Sequence, residues 1–161
     1  KVIGQSVFDK VLSNKNIDLK VGRENIKLQQ IAVSTICHKD FCTLKPDFTI
    51  EKSINLMVKL KKSEGYLIDG DEKLLNKFEL HQLISEKNKN KKISKLHQLK
   101  FLKLYSESNI FESIEKSKDF VGESIPIVTK QNKMFGIISE GDLFQIFLKV
   151  TREEKELENK D

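Results

Sequence analysis

Ser124-Ile125-Pro126-Ile127-Val128, followed beyond Gln131-Asn132-Lys133 by Gly136-Ile137-Ile138-Ser139-Glu140-Gly141-Asp142-Leu143, is the stretch on which the reading of the fold turns. The first run is short, apolar and β-branched, as a buried strand requires. Pro126 has no N–H to give a ladder, so it suits an edge strand or a strand start. Gln131-Asn132-Lys133 turns the chain, and Phe135-Gly136-Ile137-Ile138 reads as the returning strand. From Asp142 to Val150 the period changes: Leu143, Phe144, Phe147 and Leu148 fall on one side of a helix. Upstream, Leu102 to Tyr105 is a further strand, and Asn109 caps a helix that carries Ile110 and Ile114. Glu112, three residues after that cap, completes a capping-box-like pair. The order is therefore β-α-β-β-α.

The same order occurs earlier, offset by 60 residues. Val33-Ser34 aligns with Ile93-Ser94, Thr49-Ile50 with Asn109-Ile110, Ser53-Ile54 with Ser113-Ile114, and Leu67-Ile68 with Ile127-Val128. In this earlier copy Phe41 to Leu44 is β-prone, and Thr49 caps a helix whose first turn holds Glu51. Ile50, Ile54, Met57 and Val58 form its apolar stripe, and Tyr66 to Ile68 is the next strand. Asp69-Gly70 turns into Leu74-Leu75, and Leu80, Leu83 and Ile84 mark a second helix. Asp69-Gly70-Asp71 reads as the shorter turn. The register is therefore expected to slip by three there, bringing Glu79-Leu80 onto Asp142-Leu143. The expected division is 1–30 leading segment, 31–86 first copy, 87–92 basic linker, 93–150 second copy and 151–161 polar tail. Glu86 to Lys92, EKNKNKK, has no apolar residue and reads as a solvated linker.

Composition narrows the function. With 161 residues, 38% hydrophobic and 33% charged, the chain supports a core and is not a disordered polymer. Its apolar runs are too short for a transmembrane helix, and it begins at Lys1, as a fragment or processed product does. The net charge is +5, but only Arg23 and Arg152 among the 29 basic residues are arginines. Base and phosphate forks favour Arg, so nucleic acid is not the expected partner. Cys37 and Cys42 build no disulfide framework and point to a reducing, cytosolic compartment. With His38 they lack a second ligand pair, and no metal is expected. No nucleophile–base signature, Walker-type loop or paired carboxylate motif is present, so the chain is not expected to be an enzyme.

Two β-α-β-β-α copies, the second with a strand followed by G-h-h-S-x-x-D, resemble the tandem CBS-domain module over about residues 30 to 150. The resemblance implies an α+β fold of two CBS repeats packed sheet to sheet with pseudo-two-fold symmetry. It also implies clefts between them that take adenine nucleotides (ATP, ADP or AMP), with no cofactor required. Gly136 has no Cβ and lets a ligand or a second backbone approach. Ser139 suits a helix N-cap or a phosphate, and Asp142, about one turn on, suits the two hydroxyls of a ribose. Ile125 and Pro126 of the quoted strand join this wall. In the family the opposite wall comes from the first copy, which places Lys62, Ser63, Thr43 and Lys45 there. Under the slipped register the first copy offers Lys73 for Gly136, Asn76 for Ser139 and Glu79 for Asp142, so one competent cleft per chain is expected.

Ser6-Val7-Phe8-Asp9-Lys10-Val11-Leu12, then Asn16-Ile17-Asp18-Leu19 and Gly22-Arg23-Glu24, looks like the segment joining the last membrane helix to the CBS pair in CLC chloride channels and proton-coupled antiporters. Asn16 departs from the glycine usual in that pattern. The resemblance implies a homodimeric regulatory domain on the cytoplasmic face of the membrane, covalently attached to a membrane transport domain. Nucleotide would there modulate gating. The competing expectations are a CBS-pair sensor attached to a soluble enzyme and a ligand-free dimerisation module.

Overall fold

The computed structural model of the chain describes residues 23–97 and 100–158. The pattern quoted from Ser6 to Gly22 lies outside the described residues; Arg23 and Glu24 open the first helix.

The first copy comprises β1 (Cys42–Leu44), α2 (Ile50–Lys59), β2 (Glu64–Ile68), β3 (Leu74–Glu79) and α3 (Leu80–Ser85), preceded by α1 (Arg23–Gln30). The second comprises β4 (Leu104–Tyr105), α4 (Ile110–Lys116), β5 (Ile125–Val128), β6 (Met134–Ile138) and α5 (Glu140–Glu158). Each copy forms a three-stranded sheet, β1-β2-β3 and β4-β5-β6. In each, the first pair is parallel and the second antiparallel. This is the expected α+β pair of β-α-β-β-α repeats.

Local chemistry explains the helix starts. Thr49 Oγ1 accepts from Lys52 N at 3.1 Å and Asn109 Oδ1 from Glu112 N at 2.8 Å, each closing one orphan donor of a first turn. Ile50, Met57, Ile110 and Ile114 are fully or almost fully buried. Two residues expected on apolar stripes are not: Val58 is 57% and Ile84 56% exposed. Ser53 takes the buried place on α2, with its hydroxyl donating to Thr49 O at 2.9 Å. Pro126 is not on an edge, since β5 is the central strand. It is the strand's second residue, and β4 pairs only from Ile127 onward, so its missing N–H breaks no ladder on that side.

The expected slip of three residues does not occur. Gly65 faces Phe78, Leu67 faces Asn76 and Ile68 faces Leu74, while Ile125 faces Ile138, Ile127 faces Gly136 and Val128 faces Met134. Both hairpins carry a register shift at the same place, Leu67/Ile68 and Ile127/Val128. Both turns place a positive-φ residue at the same place, Glu72 (66°) and Asn132 (63°). The turns are equally long and the offset stays at 60. Gly136 thus corresponds to Asn76, Ser139 to Glu79, and Asp142 to Gln82. The two hairpin tips pair with each other: Leu74 N donates to Asn132 O at 3.0 Å and Met134 N to Glu72 O at 2.8 Å, with Lys73 opposite Lys133. That residue pair lies on the pseudo-two-fold axis and joins the two sheets.

The segment preceding each copy packs on the other copy. Ile110 N donates to Ile31 O at 2.9 Å and Val33 N to Ser108 O at 2.8 Å. Ile50 N donates to Lys91 O at 3.0 Å and Ile93 N to Phe48 O at 2.9 Å. Val33 belongs to the core of the second copy and Ile93 to that of the first. The 86–92 stretch is therefore more than a solvated linker. Lys91 O and Lys89 O accept the first N–H groups of α2, and Lys89 Nζ donates to Leu83 O at 2.7 Å at the end of α3. The polar tail continues α5 to Glu158, where Glu154 pairs with Lys27 of α1 at 2.5 Å.

Candidate functional site

Strand β6 ends at Ile138 and α5 begins at Glu140, leaving Ser139 as the cap. Ser139 Oγ accepts from Asp142 N at 3.1 Å, and Asp142 Oδ2 accepts from Ser139 N at 2.8 Å and from Ser139 Oγ at 2.6 Å. This is a reciprocal capping box with an aspartate in the third helical position. The remaining oxygen, Oδ1, lies 3.0 Å from His38 Nε2. Burial pushes the Asp142 carboxyl up, but the hydrogen bonds from Ser139 and His38 outweigh it and hold the group below its ordinary value.

His38 is placed by backbone. Its N donates to Ile137 O at 2.8 Å, and Ile137 N donates back to His38 O at 2.9 Å. Gly136 makes this approach possible, because a Cβ there would sit 2.8 Å from His38 O and 3.0 Å from Cys37 Sγ. The space at Gly136 is thus taken by a second backbone.

Ser139 and Asp142 open onto a cleft of about 350 Å³ at the seam between the copies. Lys62 and Ser63, before β2, form its opposite wall, as expected. The remaining expected residues lie elsewhere. Thr43 is exposed on β1 between buried Cys42 and Leu44, so it points away from the face on which Cys42 meets the cleft. Lys45 is exposed beyond that strand. Ile125 and Pro126 are buried in β5, and it is the preceding Ser124 that reaches the cleft.

Sequence reasoning missed the floor. Phe41 and Tyr66 meet edge to face, 5.9 Å between centroids at 85°. The Tyr66 hydroxyl lies 2.6 Å from Ser124 Oγ, and burial, the largest influence, raises its pKa well above the ordinary value. Glu64 accepts from Ser124 N at 3.0 Å and Glu123 N at 3.1 Å and pairs with Lys77 Nζ at 2.6 Å. Both side chains are nearly sealed, 6% and 8% exposed, and Lys77 also donates to Ser124 O at 2.6 Å. This network ties the start of β2 to the approach to β5. Burial likewise raises the Cys42 thiol, an effect partly offset by Lys62.

Charge in the cleft is mixed. Asp40, Glu64, Glu123 and Asp142 stand against Lys61 and Lys62. Lys62 is tied to Asp40 at 2.7 Å, and Ser63 Oγ donates to Glu123. The arrangement offers an aromatic floor, a carboxylate beside a helix start and a net negative charge.

A second cleft, about 370 Å³, is the pseudo-symmetric counterpart. Lys100, Phe101 and Leu102 stand where Asp40, Phe41 and Cys42 stand in the first, and Glu79 and Gln82 replace Ser139 and Asp142. Glu79 and Gln82 form their own reciprocal capping box, with Glu79 N donating to Gln82 Oε1 at 3.2 Å.

No protein-family model matches the chain. It is 23% identical over 158 residues to an uncharacterized protein of Methanocaldococcus jannaschii, MJ1232, covering 89% of this chain and 52% of that one. The chain thus spans about half the length of that curated relative. Among solved structures, it is similar to CBSX2, a CBS-pair protein from Arabidopsis thaliana, in complex with AMP, with a TM-score of 0.60 and 18% identity over 75% of this chain and 98% of that one. It is also similar to the cytosolic domain of the Mg2+ channel MgtE in complex with ATP, with a TM-score of 0.65 and 13% identity over 74% of this chain and 50% of that one. The fold is that of a CBS domain pair.

Proposed function

We propose that this chain is a regulatory CBS-pair module that binds an adenine nucleotide at the seam cleft built on Ser139 and Asp142, and that it acts by binding rather than by catalysis. The observation that carries the reading is the convergence, in one cleft, of a carboxylate beside a helix N-terminus, Lys62 and Ser63 opposite it, and the Phe41–Tyr66 floor. A purine suits the aromatic floor, a ribose suits Asp142, and a single phosphate suits Lys62 with the first N–H groups of α5. Solved complexes of CBSX2 with AMP and of the MgtE cytosolic domain with ATP support that ligand class. The four carboxylates favour AMP over the more highly charged ADP and ATP.

Calorimetric titration of AMP, ADP and ATP into the purified chain tests this. The expected result is saturable binding in that order of affinity, lost in Asp142→Ala. Absence of heat at millimolar nucleotide, or an Asp142→Ala isotherm matching wild type, would overturn it. Regulation further requires that the ligand bind one arrangement of the two copies better than another.

For the parent protein, the Ser6-to-Glu24 pattern supports attachment to a CLC-type chloride channel or antiporter at the cytoplasmic face of a membrane. The MgtE likeness supports a transporter setting in general. Among the described residues no helix is long and apolar enough to cross a membrane, so a membrane domain would lie outside them. Sequence preceding Lys1 decides: apolar runs of about 20 residues support the transporter, and a catalytic domain supports an enzyme-linked sensor. Exposed Val58 on α2 and Ile84 on α3 support a homodimer closed through these helices, which light scattering of the chain checks.

A further inference from the structure

The Asp142 carboxylate is fully engaged before any ligand arrives. Oδ2 is held by the Ser139 backbone and hydroxyl, and Oδ1 faces His38 Nε2 at 3.0 Å. A ribose that presents two hydroxyls to this carboxylate needs two acceptor positions, and Ser139 N and Oγ already fill both of those on Oδ2. Both hydroxyls must then fall on Oδ1, where one position faces His38. Oδ1 is occupied by a side chain that is 58% exposed and free to swing toward solvent. His38 cannot retreat as a whole, because its backbone is paired with Ile137. Only the imidazole can move. We infer that His38 is a gate on the cleft, competing with the ribose for Asp142, so that ligand affinity rises as His38 loses its proton. This inference rests on the adenine-nucleotide reading of the cleft.

The direction follows from charge. A protonated imidazole holds a carboxylate by a charge-assisted bond, roughly twice as strong as that of the neutral ring. Histidine changes charge between about pH 5 and 8. Asp142, held below its ordinary value, stays ionised across that window, so the imidazole sets the strength of the contact. The groups around His38 are accounted for. Its own segment supplies Cys37, Lys39 and Asp40; Lys39 Nζ donates to Phe135 O, and Asp40 is paired with Lys62. Strand β6, Met134–Ile138, carries no titratable side chain. Helix α5 contributes Glu140 and Asp142, the turn before β2 Lys61 and Lys62, β2 Glu64, and the approach to β5 Glu123. Glu64 is bound to Lys77, and Glu123 accepts from Ser63. Asp142 is hydrogen-bonded to the imidazole.

Adenosine is the probe, because it presents the ribose with no phosphate of its own to titrate. Its affinity for the wild-type chain is expected to rise about five-fold from pH 5.5 to pH 8.0. His38→Ala is expected to bind at least as tightly as wild type at pH 8.0 and to show no dependence on pH. His38→Gln, which can still donate to Asp142 but cannot titrate, is expected to be equally flat with intermediate affinity. Circular dichroism is expected to show both variants folded, since an exposed ring is replaced on an intact backbone pair. Adenosine binding that ignores pH in wild type, or a slope kept in His38→Ala, would overturn the gate alone. No binding of adenosine or AMP by wild type or His38→Ala at either pH would overturn the adenine-nucleotide reading, and the gate with it.

Discussion

At Asp142 one carboxylate caps a helix, engages a histidine and faces the seam cleft. A carboxyl held below its ordinary value stabilises the fold above the range in which the unfolded group titrates, about pH 4, and that contribution fades as pH falls through the lowered value. Urea midpoints between pH 5 and pH 2.5 are therefore expected to fall less steeply for Asp142→Asn than for wild type. The Glu64–Lys77 pair makes a larger prediction. Lys77→Met leaves a sealed carboxylate without its cation and is expected to cost about 3 kcal/mol by denaturation. Ser139 and Asp142 were legible from the sequence because a cap and its partner lie only three residues apart. His38, Tyr66 and Ser124 were not, because their partners lie 104 and 58 residues away and no local pattern announces such a meeting.

Among the elements, helices were read from caps and apolar spacing, and Thr49, Asn109 and the Ile110–Ile114 stripe stand where those signals placed them. Spacing failed at Val58 and Ile84, where the helix lies on the outside of the sheet and only part of an apolar arc is covered. The slip of three was misread because Glu79-Leu80 resembles Asp142-Leu143, whereas the ladder obeys backbone register and puts Gln82 opposite Asp142 in the repeat. Two substitutions test the element-level account. Thr49→Ala removes the acceptor for Lys52 N and is expected to cost about 1 kcal/mol in thermal or urea unfolding. Gly136→Ala sets a methyl against the His38 carbonyl, which is backbone and yields poorly. An expected loss of about 2 kcal/mol in urea unfolding checks that close approach.

The whole molecule is held by exchange as well as by the paired hairpin tips. Residues 31–33 complete the second copy, and residues 91–93 complete the first. A sequence divided at its linker shows two repeats but not this crossing, because the segments concerned carry one buried residue each, Val33 and Ile93, and little else to mark them. The second copy expressed alone from residue 93 is thus expected to lack helical ellipticity. It should regain it when a peptide covering residues 23–45 is added; folding of the lone fragment without that peptide would contradict the exchange.

The crossing also decides where a mechanical load would enter. Tension on the backbone at Arg23 runs through α1, which is buried at Leu28 against the second copy and tethered to α5 by Lys27 and Glu154. The half that carries Asp142 would feel the tug first, although it is the more distant in sequence. Anything joined ahead of α1 would be yoked to that half, and α5 would serve as the lever between them.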